Sequence, residues 1–124
     1  MRLRTLDDLY AIVRLDPDAA VPAWVHDSPF WSVTRSDSEL SVVCSEEDLP
    51  DGVRAERGWC ALELIGPLDF TLPGVVASLV SPLADSEVPI FVISTFETDY
   101  LLVREPDFAR AVGSLRAAGH SVDA

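Results

Sequence analysis

The sequence predicts an α+β chain: two small split βαβ units in tandem, the first one reduced, with antiparallel sheets and helices on one face. Three observations predict it. Residues 64–103 alternate in pattern as strand, helix, strand, strand. A second helical pattern follows at 108–118. Pro29–Val43 also lies over Pro89–Val103 without a gap, so the first half repeats the hairpin of the second. The repeat places one unit at residues 1–58 and the other at 59–124.

The elements follow in order. Leu9–Leu15 is a mostly apolar strand that ends at Asp16-Pro17. Ala19–Val25 suits a short helix, with Pro22 near its first turn and Trp24 facing inward. Phe30–Thr34 and Leu40–Cys44 form a hairpin around the turn residues Ser36-Asp37-Ser38. The acidic run Ser45–Gly52 has room for one helical turn. Val53–Arg57 and Trp59–Ile65 are extended and broken by Gly58. Gly66-Pro67 then turns the chain into a helix whose apolar face is Leu72, Val75, Val76, Leu79, Val80 and Leu83. Asp69 and Thr71 stand just ahead of that face, where capping residues stand. Ile90–Ile93 and Tyr100–Val103 are strands joined by the polar link Ser94–Asp99. Phe108, Ala111, Val112, Leu115 and Ala118 mark the second helix, and Gly119 is placed to end it in the left-handed conformation. His120–Val122 is a short edge strand.

Composition narrows the function. The 124 residues are 48% hydrophobic, enough for a core, and carry a formal charge of −12. Twenty-one acidic residues face nine basic ones, and every basic residue is arginine. Such a surface repels phosphate backbones and anionic lipid, so neither nucleic acid nor membrane is an expected partner. No apolar run approaches the ~18 residues of a spanning helix. Met1–Asp8 lacks the apolar segment of a signal peptide. Cys44 and Cys60 have no metal or redox spacing and suit a reducing, cytoplasmic setting. Phosphate-loop, dinucleotide-binding and nucleophile-elbow motifs are absent, and without lysine there is no Schiff-base chemistry. His26 and His120 are remote in sequence from both cysteines. The expectation is a protein that is not an enzyme and uses no metal or cofactor.

Asp69-Phe70-Thr71-Leu72-Pro73-Gly74-Val75-Val76 resembles the Asp…Pro-Gly-Val signature of ACT domains, the small-molecule-binding modules of amino-acid metabolism. Gly66-Pro67-Leu68-Asp69-Phe70, followed by Ile93-Ser94-Thr95-Phe96-Glu97-Thr98-Asp99-Tyr100, is similar to the tandem-ACT subgroup. That subgroup holds small bacterial ACT proteins and the cytosolic arginine sensors of animals. The resemblance covers 59–122 strongly and 9–44 weakly. It implies ferredoxin-like βαββαβ units and allosteric or sensory binding of a small amino acid or related effector. Such units expose sheet edges and often an apolar face, so a homodimer that covers them is expected. The first unit departs from the pattern in being degenerate, and no catalytic domain is appended.

A site can be built from these residues. Free amides at a helix start favour a carboxylate, which points to Gly74, Val75 and Val76. Asp99 would pair with an ammonium or a cationic side chain. Thr95 and Phe96 would line the pocket, with Asp69 beside it; the resemblance assigns the Thr95, Phe96 and Asp99 positions to the ligand site as well. Each has a plainer reading: Asp69 as a helix cap, Gly74 and Asp99 as turn residues, Thr95 as a strand end, Phe96 as packing. A protein-interaction or dimerisation module with no small ligand is the alternative function.

Overall fold

The structure, a computed structural model, describes residues 1–65 and 73–124. Asp69, Thr71, Leu72 and the Gly66-Pro67 turn lie outside the described residues. The elements run β1 (Arg2–Leu15), a 3₁₀ helix (Ala23–Asp27), β2 (Ser32–Arg35), β3 (Leu40–Ser45), a 3₁₀ turn (Glu46–Asp48) and β4 (Ala55–Leu64). They continue as α1 (Val75–Asp85), β5 (Ile90–Ser94), β6 (Asp99–Arg104), a 3₁₀ turn (Glu105–Asp107), α2 (Phe108–Ala117) and β7 (Ser121–Asp123). This is a mixed α+β fold.

The chain forms two compact units, Asp8–Trp59 and a second made of Met1–Asp7 with Cys60–Ala124. Met1–Asp7, which the sequence reading groups with the residues after it, is therefore part of the C-terminal unit. In the unit of Asp8–Trp59 the strand order is β2-β3-β1, with the start of β4 beside β1. β1 and β3 are antiparallel, from Tyr10 opposite Ser45 to Leu15 opposite Leu40. β2 and β3 form the expected hairpin, Ser32 opposite Val43. Its core is Ala11, Val13, Val25, Leu40, Val42 and Cys44. The expected helix at 19–25 is a 3₁₀ helix over Ala23–Asp27, and Val25 is its buried residue while Trp24 is half-buried. Ser28 pins the two 3₁₀ segments of this unit: its hydroxyl donates to Asp48 (2.9 Å) and accepts from the Ser45 amide (2.9 Å).

The other unit has the order β7-β1-β4-β6-β5. In a self-contained βαββαβ unit the last strand pairs with the first. Here Arg2–Arg4 of β1 occupy that place, and β7 pairs parallel to them with Leu3 opposite Val122. This is one departure from the expected all-antiparallel sheet. The core is Leu3, Leu62, Leu64, Val75, Leu79, Leu83, Val88, Leu101, Val103, Ala111, Val112, Leu115 and Val122. Burying each leucine side chain contributes about 2 kcal/mol. Helix α1 turns Val75, Leu79 and Leu83 inward, at successive spacings of four, while Val76 is exposed and Val80 half-buried. The buried stripe is thus narrower than the sequence pattern.

Local chemistry sets the helix ends. Pro82 inside α1 has no amide hydrogen, so the Ser78 carbonyl loses its partner within the helix. The His120 Nε2 atom lies 3.0 Å from that carbonyl and takes the vacated bond. Helix α2 ends as expected at Gly119, with φ +97°. The His120 amide donates to the Leu115 carbonyl (3.1 Å) and the Gly119 amide to Arg116 (3.0 Å), which is a Schellman ending. β4 runs on through Gly58, where the sequence pattern suggests a break. No described helix is long and apolar enough to cross a membrane.

Candidate functional site

Strand alternation sorts the C-terminal unit into two faces. Leu3, Leu62, Leu64 and Leu101 point to the helices and the core. Arg2 and Arg4 on β1, Glu63 on β4 and Tyr100 on β6 alternate with them and therefore lie on the other face. Pairing of these neighbouring strands brings the polar residues into a row. The Arg4 Nε donates to Glu63 Oε1 at 2.7 Å, and the Tyr100 hydroxyl donates to Glu63 Oε2 at 2.8 Å. Both oxygens of the carboxylate are thus engaged, and only 19% of the Glu63 side chain is exposed. The Tyr100 phenol is pushed up to about 12, first by burial and then by its hydrogen bond to the Glu63 carboxylate. It therefore stays protonated and keeps donating. Arg2 reaches Asp123 on β7 at 3.3 Å, an exposed pair that contributes little.

The β5–β6 hairpin closes this row at one end. Ser94 opposite Asp99 is the last pair of the ladder. The turn is held from within: the Thr95 amide donates to the Thr98 carbonyl (2.8 Å), and the Thr98 amide to the Thr95 hydroxyl (3.2 Å). The Thr98 hydroxyl donates to the Leu64 carbonyl (2.5 Å), which ties the turn to the end of β4. A cavity of about 460 Å³ opens between turn and strands, lined by Arg2, Arg4, Glu63, Leu64, Ile65, Thr95, Glu97, Thr98 and Tyr100.

The sequence-derived site residues fall into three groups. Thr95 lines the cavity. Asp99 sits at the base of the same hairpin, 8% exposed, and accepts a hydrogen bond from the Ser94 hydroxyl through Oδ1. Phe96 is at the tip of the turn and 81% exposed. Gly74 stands at the start of α1 with φ +77°, a value glycine adopts without cost, and gives that helix no side-chain cap. Val75 buries its side chain in the core, so only its backbone is offered to a ligand; Val76 is exposed. Gly74, Val75, Val76, Phe96 and Asp99 do not line the cavity just described. Asp69 lies outside the described residues. Arg2, Arg4, Glu63, Glu97, Thr98 and Tyr100 are cavity residues that the sequence reading passed over. The available signal was a single polar residue between two buried leucines, as in Leu62-Glu63-Leu64.

An open-faced sheet backed by two helices, with a cavity of small-molecule size beside one hairpin, is the build of a small ferredoxin-like α+β unit. The ACT domain model matches residues 54–117, and the chain belongs to that family. A separate N-terminal-domain model matches residues 8–52. Among curated proteins, the human protein CASTOR3P is 28% identical over 93 residues, 63% of this chain and 56% of that one. The bovine cytosolic arginine sensor for mTORC1 subunit 1 is 28% identical over 97 residues, 69% of this chain and 30% of the sensor. The chain therefore spans about half or less of these relatives. Among solved structures, a protein of Agrobacterium tumefaciens superposes with a TM-score of 0.92 at 42% identity, covering 98% of this chain and 90% of that one. The ligand-free regulatory subunit of aspartate kinase from Thermus thermophilus has the same fold, with a TM-score of 0.64 at 14% identity over 90% of this chain and 93% of that one.

Proposed function

We propose that the chain is a non-catalytic ACT protein that binds a small amino acid or related effector, as a sensor or regulatory module. One observation carries the reading. A buried acid, Asp99, sits at the base of the hairpin in a unit whose first helix opens on an uncapped glycine. Its Oδ2 atom has no hydrogen-bond partner among the described residues. In this reading the amides at Gly74, Val75 and Val76 take the ligand's carboxylate. Asp99 takes its ammonium, and Thr95, Phe96 and Asp69 flank it. The arginine-sensing relatives support an amino acid as the effector.

The unit of Asp8–Trp59 is, in this reading, a second and reduced ACT-like unit whose helices have shrunk to 3₁₀ segments. A cytoplasmic homodimer completes the proposal, with β5 and β2 as the edges that a second copy would cover. The test is a thermal-shift screen of the proteinogenic amino acids, one at a time. A reproducible rise with one or a few supports binding. Calorimetric titration of Asp99→Ala with that amino acid then tests the seat, and unchanged affinity rejects it. No rise with any amino acid moves the reading to a protein-interaction module, which the exposed Phe96 favours.

A further inference from the structure

The cavity on the strand face has a chemistry of its own. We propose that it is a second seat for a free α-amino acid, with the ligand's carboxylate at Arg2 and Arg4 and its ammonium at Glu97, Thr95 and Thr98. The inference rests on the reading of the chain as an amino-acid binder and adds a seat distinct from the one at Gly74 and Asp99.

The hydrogen-bond inventory assigns the two ends. Arg4 uses Nε on Glu63, and its two Nη groups take no partner among the described residues. Arg2 lines the same cavity; one of its Nη groups donates to Asp123 (3.3 Å), and its side chain is 67% exposed. Two guanidinium groups on one strand make a carboxylate-binding end. Glu63 already accepts from Arg4 and Tyr100, one donor on each oxygen, and its charge is shared with Arg4. Its role is to hold the Arg4 side chain toward the cavity. At the other end, the Thr95 hydroxyl donates to the Thr98 carbonyl (3.1 Å) and the Thr98 hydroxyl to Leu64. Both protons are spent, so the Thr98 hydroxyl oxygen is left to act as an acceptor, and the Thr95 oxygen, which already accepts from the Thr98 amide (3.2 Å), keeps one lone pair. The Glu97 carboxylate lines the same end and has no hydrogen-bond partner among the described residues. Donors at one end and acceptors with a negative charge at the other match a zwitterion. The charged side chains lining the cavity are two arginines and two glutamates, so both signs are present for the two ends of a zwitterion. A volume of about 460 Å³ accommodates any amino acid.

The experiment is an amide chemical-shift titration of the labelled protein with an equimolar mixture of the proteinogenic amino acids. The expected result is a set of shifts at Arg2–Arg4, Glu63–Ile65 and Glu97–Tyr100. Arg4→Gln should weaken that response about tenfold, the loss expected for one charge-assisted hydrogen bond. Glu97→Gln changes only an exposed turn residue, so it retains the fold and should also weaken the response. The decarboxylated amines, used as a control mixture, should give no shifts at Arg2–Arg4. Shifts confined to residues 74–76 and Asp99 overturn this seat and leave the amino-acid reading standing. No shifts anywhere overturn both. Cavity shifts that survive in both Arg4→Gln and Glu97→Gln also reject the assignment.

Discussion

Glu63→Gln tests the polar row directly. The substitution keeps the side-chain shape and removes one negative charge from beneath two donors. The amide can still accept from one of them but turns its own donor toward the other. A hydrogen bond to a charged group contributes about 1.5–3 kcal/mol when shielded. The Arg4 side chain is 57% exposed, so its share is screened to about 0–1 kcal/mol. The Tyr100 bond is the better shielded of the two. Together the substitution should cost about 1–2 kcal/mol, read as a lower urea midpoint with an unchanged slope. The phenol gives a second readout. Burial is the larger cause of its raised value and the Glu63 carboxylate the next. In Glu63→Gln the tyrosinate midpoint should therefore fall below about 12 yet remain above the ordinary 10.0. The sign of the pH dependence follows. A phenol held protonated in the folded state stabilises it fully below the unfolded midpoint. That stability is lost as pH rises through the folded one. Wild type should lose stability between pH about 10 and about 12, and the variant should lose less over the same window. Tyr100→Phe assigns the signal, since Tyr10 is the other tyrosine. A Tyr100 midpoint identical in Glu63→Gln and wild type would falsify the network.

Three further outcomes follow from the packing. Gly119→Ala should cost about 1–2 kcal/mol, because a Cβ there meets nothing within 4 Å and the penalty is purely that of a left-handed backbone; Gly119→Asn should recover part of it, and equal midpoints for the two variants would contradict the argument. Leu79→Ala, at a position with 0% exposure, should destabilise by about 2–5 kcal/mol in the same assay. The Cys44 thiol is pushed up to about 11 chiefly by burial, so iodoacetamide at neutral pH should label it only as the protein unfolds, as mass spectrometry would show.

The second half of the chain was largely legible in the sequence because its signals are local. Helix α2 is recorded in the spacing of Phe108, Ala111, Val112 and Leu115, and its end in Gly119. The β5–β6 hairpin reads directly from apolar runs around a polar turn. Asp99 and Thr95 fall at the base of that turn, where the spacing puts them. The start of β1 did not read as a strand. Arg2, Arg4, Asp7 and Asp8 look like a solvated leader, and Leu3 is the one residue among them that is fully buried. Helix α1 carries the opposite error: Val76 and Val80 match the apolar period, but the buried stripe takes only every fourth residue.

What stayed hidden depends on register between strands that are distant in the chain. Period-two alternation in Arg2-Leu3-Arg4 and in Leu62-Glu63-Leu64 says that each strand has a polar side, not that the two polar sides meet. That meeting follows from the insertion of Arg2–Arg4 between β7 and β4, a placement the repeat does not imply because β7 would otherwise pair with β4. A slip of one residue in β1 would bring Leu3 to the strand face and send both arginines into the core. Burying Leu3 at 0% exposure among Leu62, Leu64 and Val122 forbids that slip. The apolar core therefore positions the polar row: the residues that exclude water on one face decide which charges converge on the other. The Arg4, Glu63 and Tyr100 network is then a consequence of core packing, and a substitution that disturbs Leu3 should disperse it even though the Leu3 side chain carries no polar group and lies in the core.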